Sequence, residues 1–266
     1  MQPDLIYDAG FHYGEDTQFY WHKGFKVVAI EAHPALYQAG REQFARYIES
    51  ARLILLNVAV AETSGLISFF ESDNDVWGSI RRDAARRDER LGSGWREITV
   101  EGRRFDEILN QHGILYYLKV DIEGADMLCL NALAEFSERP KYVSIEAEVD
   151  VLSGIRDEIA VLSELGYARF KIVREGRVPL QSCPFPPRDG QYVEHKFPYG
   201  SSGMFGEEAR GEWLSGDRAV ESYRKIVRIQ RLFGDREWVR RLPLGNKVTN
   251  LIQPDVSWYD THASLA

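Results

Sequence analysis

Short apolar runs alternate with longer amphipathic stretches along the first two-thirds of the chain. The runs predict β-strands at Leu5–Asp8, Val27–Glu31, Leu53–Val60, Ile67–Phe70 (an extra edge strand), Leu115–Asp121, Tyr142–Glu146 and Arg169–Val173. The stretches predict helices that start near Asp16 or span Pro34–Ser50, Phe105–Gln111, Ala125–Phe136 and Arg156–Leu165. This alternation predicts an α/β fold with a doubly wound, mostly parallel sheet that helices cover on both faces.

Four of the predicted core strands end in a carboxylate, at Asp8, Glu31, Asp121 and Glu146. Carboxylates are poor core residues, but they suit a strand end that faces a cleft. Parallel strands end on one side of their sheet, and cofactors bind beyond those carboxyl ends. The pattern therefore predicts a binding cleft at that edge.

Two long segments interrupt the alternation, Ser72–Arg96 and Pro179–Gly216. Loops of this length inside a compact domain are uncommon unless they are functional, so we expect them to form a cap over an acceptor site. A basic amphipathic stretch, Glu221–Arg241, precedes a weakly patterned tail. We expect a core at residues 1–180 and a loop-and-helix extension at 181–266 that packs on it, as one globular unit.

Composition excludes several classes of protein. Among 266 residues, no run approaches the roughly 20 apolar residues of a membrane helix. The net charge of −8 disfavours general nucleic-acid binding. The arginines at 81, 82, 86, 87 and 90 alternate with acids, which indicates a solvated helix or a site for an anionic acceptor. Two cysteines and six unclustered histidines make no metal site, and with no signal peptide at the N-terminus they predict a cytoplasmic protein.

The segment Asp8–Thr17 carries the strongest chemical signal. Gly10 allows a sharp turn off the first strand, and Gly14 allows close approach of a cofactor or of the next helix. Asp8 could accept a hydrogen bond from the ammonium group of a methionine moiety, and the helix start could hold its carboxylate. Glu31 follows Gly10 at the spacing of an acid that binds both ribose hydroxyls, so an adenosine ligand is predicted.

Nicotinamide dinucleotides and S-adenosylmethionine both contain that adenosine. A dinucleotide fingerprint would need G-x-G-x-x-G, whereas position 12 is His in this chain. Tyr167 and Lys171 match the spacing of a reductase pair, but they fall at a loop and strand start, so we interpret the match as coincidence. The glycine pattern favours S-adenosylmethionine.

Four motifs occur in order: DAGFHYGEDT, VVAIEAHP, LNVAVAETSG and LKVDIEGAD. Together they resemble the FkbM-type family of S-adenosylmethionine-dependent methyltransferases, from about Leu5 to Val173, and the later GSSGMFGEE segment is similar to some members. The resemblance implies a Rossmann-like class I methyltransferase that methylates hydroxyls of sugars, polyketide-type natural products or related small acceptors.

Residue by residue, the resemblance extends to the first turn, the ribose-binding acid and the K-x-D-x-E-G signature. The matching residues are Asp8, Gly10, Gly14, Thr17, Glu31, Lys119, Asp121, Glu123 and Gly124. Phe11-His12-Tyr13 is bulkier than the Ala-Asn-hydrophobic sequence usual in the family. We count Phe11 among the cofactor-binding residues, together with Asn57 and Val58, which we expect beside the adenine.

Methyl transfer to a hydroxyl needs in-line positioning and removal of a proton. Asp121 is the expected base or acceptor-orienting residue and also a cofactor contact, although it could instead cap the next helix. Lys119 could be a base or the partner of a structural ion pair, and Glu146 is a further candidate. Glu123, His195, Ser201 and Ser202 are expected acceptor contacts.

Two other functions compete with methyl transfer: an NAD(P)-dependent oxidoreductase on a similar fold, and a non-catalytic adaptor that keeps the cofactor fold. The predicted partner is a small-molecule or glycan acceptor, with no nucleic acid and no membrane insertion. The acceptor, the methylated atom and the oligomeric state remain open at this point.

Overall fold

A central seven-stranded sheet organises the structure, a computed structural model that describes residues 1–72, 78–80, 94–122, 124–147, 152–233 and 258–265. The strands are β1 (Leu5–Ala9), β2 (Lys26–Ile30), β3 (Leu53–Leu56), β4 (Ala59–Val60), β5 (Gly65–Ser72), β6 (Trp95–Arg103), β7 (Tyr117–Val120), β8 (Tyr142–Glu146), β9 (Tyr167–Arg174) and β10 (Tyr259–Leu265). The α-helices are α1 (Glu15–His22), α2 (Pro34–Gln43), α3 (Ala45–Glu49), α4 (Phe105–His112), α5 (Asp126–Leu133), α6 (Leu152–Glu164) and α7 (Gly216–Phe233). A 3₁₀-helix spans Glu175–Leu180.

The strand order of the central sheet is β3-β2-β1-β7-β8-β10-β9. Strands β3, β2, β1, β7 and β8 are parallel, and β10 runs antiparallel to both of its neighbours, β8 and β9. Without β10, the order is that of a doubly wound sheet, whose cleft opens where the order reverses, here between β1 and β7. The predicted α/β class and mostly parallel sheet are confirmed.

Strand β10 corrects the prediction of a weakly patterned tail. Its sequence, YDTHASL, places polar side chains where a buried strand is normally apolar, so the pattern gave no strand signal. In the sheet, Asp260, Thr261, His262 and Ser264 are all buried. The residues beyond position 180 therefore supply a strand to the main sheet, and the proposed boundary between core and extension remains a prediction.

Two hydrophobic cores cover the two faces of the sheet. Helices α4, α5, α6 and α7 pack on one face, with Ile108, Leu130 and Ile159 among the buried residues. On the other face, α1 packs beside part of the long loop that was predicted at Pro179–Gly216. Phe205 of this loop stacks on Tyr117 with ring centroids 4.4 Å apart. The loop thus takes the place of a helix on this face.

A second sheet, of order β4-β6-β5, adjoins the end of β3. It corrects two predictions: the run Leu53–Val60 is divided between β3 and β4, and Ile67–Phe70 belongs to β5, which pairs with β6 and not with the central sheet. Strand β6 falls partly in a segment predicted as a loop. Alternation of exposed and half-buried residues in β6 explains why its apolar signal was weak.

The helix predicted over Pro34–Ser50 is two helices, α2 and α3, which meet at Phe44. Phe44 leaves the helical backbone conformation and packs edge-on against Phe11, with ring centroids 5.6 Å apart.

None of the helices in the described part of the chain is long and apolar enough to cross a membrane. The arginine cluster predicted at residues 81–90 lies outside the described residues.

His262 is a fully buried histidine at the centre of β10. Neither ring nitrogen has a hydrogen-bond partner among the described residues, and burial together with Lys171 lowers its pKa to about 3. Its Nε2 lies 4.0 Å from Asp260 Oδ2, but burial raises the pKa of Asp260 well above its usual range. Both groups are therefore neutral at pH 7, and their contact is not an ion pair.

This burial predicts an acid-sensitive fold. The unfolded chain binds a proton at His262 below about pH 6.5, whereas the folded chain does so only near pH 3, so stability falls as the pH drops between these values. We expect this one residue to lower the free energy of unfolding by about 2 kcal/mol between pH 6.5 and pH 5. Urea unfolding of the wild type and of His262→Met at both pH values measures this pH-dependent loss of unfolding free energy. An equal pH-dependent loss in the two proteins would contradict the prediction.

Candidate cofactor and acceptor site

A cavity of about 380 Å³ opens at the carboxyl ends of β1, β2, β7 and β8, at the predicted edge of the sheet. Its volume lies within the range of sites for small molecules and cofactors. One end is apolar and the other is acidic. The side chains that line the acidic part come from different elements and include Asp16, Glu31, Asp121, Glu146 and Glu175.

The turn after β1 forms one wall of the cavity. Gly10 has φ +95°, and a Cβ atom at this position would lie 1.9 Å from the carbonyl oxygen of Asp121. The next residue, Phe11, fills the space beneath the turn, against Gly14 and Gly40, neither of which leaves room for a side chain of its own. The bulky Phe11 is therefore matched by two glycines, and the turn keeps its tight course.

Glu31 is held rigidly by the backbone on both sides of it. Its Oε2 accepts a hydrogen bond from the N–H of His12 (2.8 Å), and its Oε1 accepts one from the N–H of His33 (2.8 Å). Burial raises the pKa of Glu31, and these two N–H groups oppose that effect. Each carboxylate oxygen retains a lone pair for a further donor, so Glu31 can accept hydrogen bonds from a diol in the cavity.

Asn57 supports Glu31 from behind. Its side-chain amide donates to the backbone carbonyls of Glu31 (2.9 Å) and Ala32 (3.3 Å), and its side chain does not line the cavity. The next residue, Val58, does line it. Of the two residues expected beside an adenine, Val58 thus lines the cavity, whereas Asn57 supports the backbone around Glu31.

A chain of polar contacts ties the second sheet to Glu31. The Nδ1 of His33 accepts the N–H groups at the start of α2, so its Nε2 carries a proton and donates to Glu71 Oε1 (2.7 Å). Glu71 also accepts two hydrogen bonds from Arg96 of β6.

The side of the cavity next to this sheet is apolar, with Leu36, Val58, Val60, Phe69 and Ile80 as lining residues. A planar, weakly polar ring would suit this end.

Lys119 joins three carboxylates at the other side of the turn. Its Nζ lies 3.3 Å from Asp8 Oδ1, 3.5 Å from Asp121 Oδ2 and 4.0 Å from Asp16 Oδ2. It also donates to the carbonyl oxygen of Gly10 (2.8 Å). Burial alone would lower the pKa of Lys119, but the three carboxylates raise it well above its usual value. The ammonium therefore keeps its proton at neutral pH.

Asp16 was not predicted as a site residue, although it lies in the first turn of α1 and lines the cavity. Its oxygens accept the backbone N–H groups of Ser202 (3.0 Å) and Gly203 (3.3 Å). Burial and the nearby charge of Asp8 raise its pKa to about 7 against the attraction of Lys119. One ammonium cannot neutralise three carboxylates, so this end of the cavity favours a cationic group.

The part of the cavity farthest along the sheet is lined by Asp121, Glu146, Glu175, Tyr199 and Trp258. Glu175 and Trp258 were missed because they follow β9 and precede β10, and the sequence pattern did not reveal β10. Tyr199 and Gly200 belong to the long loop, immediately before the predicted Ser201 and Ser202. A search for acids just beyond each strand end would have found Glu175.

The structure brings together most of the predicted site residues. Those that line the cavity are Gly10, Phe11, Glu31, Val58, Lys119, Asp121 and Glu146. Asp8 and Thr17 lie beneath the turn, where Thr17 Oγ1 donates to Asp8 Oδ2 (2.6 Å), and Gly14 packs on Phe11. Asp8 is fully buried and is connected to the cavity by its ion pair with Lys119, which lines the cavity.

Three predicted acceptor contacts, His195, Ser201 and Ser202, are not among the residues that line the cavity. His195 packs between Phe19 and Phe197, and the Ser201 hydroxyl donates to the carbonyl of Pro198. Ser202 contributes its backbone N–H to Asp16. Glu123 lies outside the described residues, and no set of three side chains in the described part of the chain is arranged to hold a metal ion.

Comparison with known proteins identifies a matching sequence family and weakly similar structures. A sequence model of the "Methyltransferase FkbM domain" matches residues 8–168, more than half of the 266 residues. No curated protein sequence matches the chain significantly.

The similar solved structures are distant. Precorrin-6y C5,15-methyltransferase from Geobacter metallireducens is 8% identical, with 100% of this chain and 82% of that chain covered and a TM-score of 0.40. A SAM-dependent methyltransferase from Thiobacillus denitrificans, in complex with S-adenosyl-L-homocysteine, is 6% identical, with coverage of 99% and 85% and a TM-score of 0.35. Precorrin 8W decarboxylase from Methanobacterium thermoautotrophicum is 13% identical, with coverage of 65% and 69% and a TM-score of 0.37.

The first turn generates a prediction about stability. Gly10→Ala should destabilise the protein by about 3 kcal/mol or more, because the added Cβ meets the Asp121 carbonyl and φ +95° is unfavourable for alanine. Gly154→Ala is the matched control, since position 154 is in α6 and a Cβ there meets nothing within 4 Å. Chemical denaturation measures both, and we expect Gly154→Ala to be neutral or stabilising. Equal stability of the two variants would contradict this role for Gly10.

Proposed function

The chain belongs to the FkbM family of S-adenosylmethionine-dependent methyltransferases, and we propose that it methylates a hydroxyl group of a sugar, glycan or natural-product acceptor. S-adenosylmethionine supplies an activated methyl group on a sulfonium, so the protein has to hold the cofactor, orient the acceptor and accept a proton. The single observation that carries the proposal is one cavity that joins the fixed Glu31 carboxylate to a group of acids.

The residues around the apolar end suit an adenosine. We propose that the two oxygens of Glu31 accept hydrogen bonds from the ribose hydroxyls, since both oxygens are already oriented by backbone N–H groups. Leu36, Val58 and Phe69 would contact the adenine ring, and Asn57 would keep Glu31 in place. A rigid carboxylate loses little entropy on binding, which favours affinity.

The methionine end of the cofactor would lie against the first turn and the start of α1. Here Asp16 is the carboxylate that faces the cavity, and it offers a charged acceptor for the cofactor ammonium. Asp8, which we expected to accept a hydrogen bond from this ammonium directly or through water, is buried and would support this region through Thr17 and Lys119. The electrostatic attraction is favourable because Asp8, Asp16 and Asp121 outnumber the single ammonium of Lys119.

Asp121 is the proposed catalytic carboxylate, either as the base or as the residue that orients the acceptor. It is the most accessible of the three acids around Lys119, with 39% of its side chain exposed. Lys119 keeps its own proton, which favours a positioning role over that of a base. Glu146 lines the same part of the cavity and remains a second candidate.

The acceptor would reach the cavity under the long loop, whose Tyr199 and Gly200 line it. In this proposal the loop is part of the acceptor cap, and Ser201, Ser202 and His195 act by shaping it. A small molecule or a glycan terminus is the proposed partner, and the cytoplasm the proposed location. The oxidoreductase alternative is disfavoured because Tyr167 and Lys171 bond to backbone carbonyls within the fold and do not line the cavity.

Cofactor binding tests the proposal directly. Isothermal calorimetry should detect binding of S-adenosylmethionine or S-adenosylhomocysteine and no binding of NAD(H). Glu31→Ala should lower the affinity on the order of 10-fold or more, through loss of charge-assisted hydrogen bonds. Glu62→Ala changes an exposed acid and is the matched control. Tight NAD(H) binding without any S-adenosyl ligand would contradict the proposal, and unaltered affinity of Glu31→Ala would remove the ribose role.

Asp121→Ala tests the catalytic assignment. Mass spectrometry of glycans and metabolites from a wild-type and a deletion strain should reveal an acceptor that differs by one CH₂ unit. With that acceptor, Asp121→Ala should abolish turnover and leave cofactor affinity within a few-fold of the wild type. Asp157→Ala, on the exposed side of α6, should behave as the wild type. Wild-type turnover of Asp121→Ala would contradict a catalytic role.

A further inference from the structure

A carboxyl pair, Glu175 and Asp260, adjoins the acceptor part of the cavity. Glu175 begins the 3₁₀-helix after β9, lines the cavity and is fixed by its N–H, which donates to the carbonyl of Trp258 (3.1 Å). Asp260 lies behind it on β10, in register with Glu146 of β8 and Val173 of β9. Strands β9 and β10 and the 3₁₀-helix thus bring the two residues to neighbouring positions.

Asp260 is suited to hold a proton at neutral pH. Only 3% of its surface is exposed, and as an ionised group its Oδ2 would be buried without a hydrogen-bond donor among the described residues. Among the charged groups near Asp260, the acid Glu175 contributes most to raising the pKa of Asp260, after burial. Two adjacent carboxylates repel each other, whereas a protonated Asp260 can donate a hydrogen bond to an ionised Glu175.

The surroundings of Glu175 make it a stronger proton acceptor than an ordinary glutamate. The charged groups around the pair are Asp121 and Lys119 of the β7 end, Asp16 of α1, and Glu146 of β8, with neutral His262 beside Asp260. Burial and the charge of Asp121 raise the pKa of Glu175 to about 7. A base is most effective when its pKa lies near the working pH.

We propose, on the basis of the methyltransferase function above, that Glu175 is the proton acceptor for the acceptor hydroxyl and that Asp260 is its positioning residue. As the acceptor oxygen forms its bond to the methyl carbon, the carbon–sulfur bond breaks and the sulfur retains that electron pair. The hydroxyl proton passes to Glu175 Oε. The positive charge of the sulfonium and the negative charge of Glu175 are both lost, so the total charge is unchanged.

This assignment leaves the orienting role to Asp121. The Lys119 ammonium is 3.5 Å from Asp121 Oδ2 and forms an ion pair with that carboxylate. Glu175 forms no ion pair with Lys119 or with any other cation among the described residues. Of the two acids, Glu175 is therefore the one that no cation holds, which suits it to the proton-accepting role.

Proton release on ligand binding tests this placement without a known acceptor. S-adenosylmethionine carries a sulfonium that S-adenosylhomocysteine lacks, and a positive charge beside Glu175 displaces its proton. Calorimetry near pH 7, in buffers of different ionisation enthalpy, should show up to about half a proton more released by S-adenosylmethionine than by S-adenosylhomocysteine. The ammonium and ribose are common to both ligands, so release from Asp16 and Glu31 cancels.

Variants test whether the released proton comes from Glu175 and Asp260. Glu175→Gln should remove the difference in proton release between the two ligands and leave the affinity for each ligand within a few-fold of the wild-type value. Asp260→Asn, the isostere of the protonated acid, should preserve the difference, whereas Asp260→Ala should reduce it. Glu164→Gln, at an exposed position, is the matched control.

The outcomes separate this inference from the function on which it rests. Equal proton release by the two ligands in the wild type overturns the inference even if no variant folds, and so does a difference that persists in Glu175→Gln. In both cases S-adenosylmethionine still binds, and the proposed methyltransferase function stands. Failure of both ligands to bind the wild type contradicts that function itself and this inference with it.

Discussion

The buried ammonium of Lys119 is the constraint on which the site depends. It connects β7 to the turn after β1 through Asp8 and the carbonyl of Gly10, and it reaches the start of α1 through Asp16. Removing one partner of a buried ion pair leaves an uncompensated charge, which is costly. The turn and the helix start are therefore fixed relative to the sheet before any ligand binds.

The same arrangement leaves an excess of negative charge in the cavity. Lys119 balances one carboxylate, while Asp16, Asp121, Glu146 and Glu175 all face the same space. Burial and mutual repulsion bring the pKa of Asp16 and Glu175 to about 7, so the site can adjust its charge by releasing protons. Such a cavity favours a cofactor that carries both an ammonium and a sulfonium, and it can accept a proton at the end of the reaction.

Two peripheral parts of the fold complete this cavity. The second sheet supplies an apolar wall and ties itself to Glu31 through Arg96, Glu71 and His33. The C-terminal part supplies Tyr199, Trp258 and strand β10, whose Asp260 lies behind Glu175. The apolar end of the cavity is thus built mainly by the N-terminal half of the sheet and the second sheet, and the far acidic end includes segments from the C-terminal part of the chain.

The sequence by itself determined the α/β class, the position of the cleft and the cofactor, because acids at strand ends and the Gly10 turn are local patterns with a fixed place in a parallel sheet. It gave no sign of β10, since polar residues fill that strand, and it placed Asp8 at the surface of the site. Only the tertiary structure decided that Asp16 and Glu175 line the cavity and that Asn57 supports Glu31. These contacts join residues distant in the chain, and burial and charge at such meeting points depend on packing, which a local pattern does not encode.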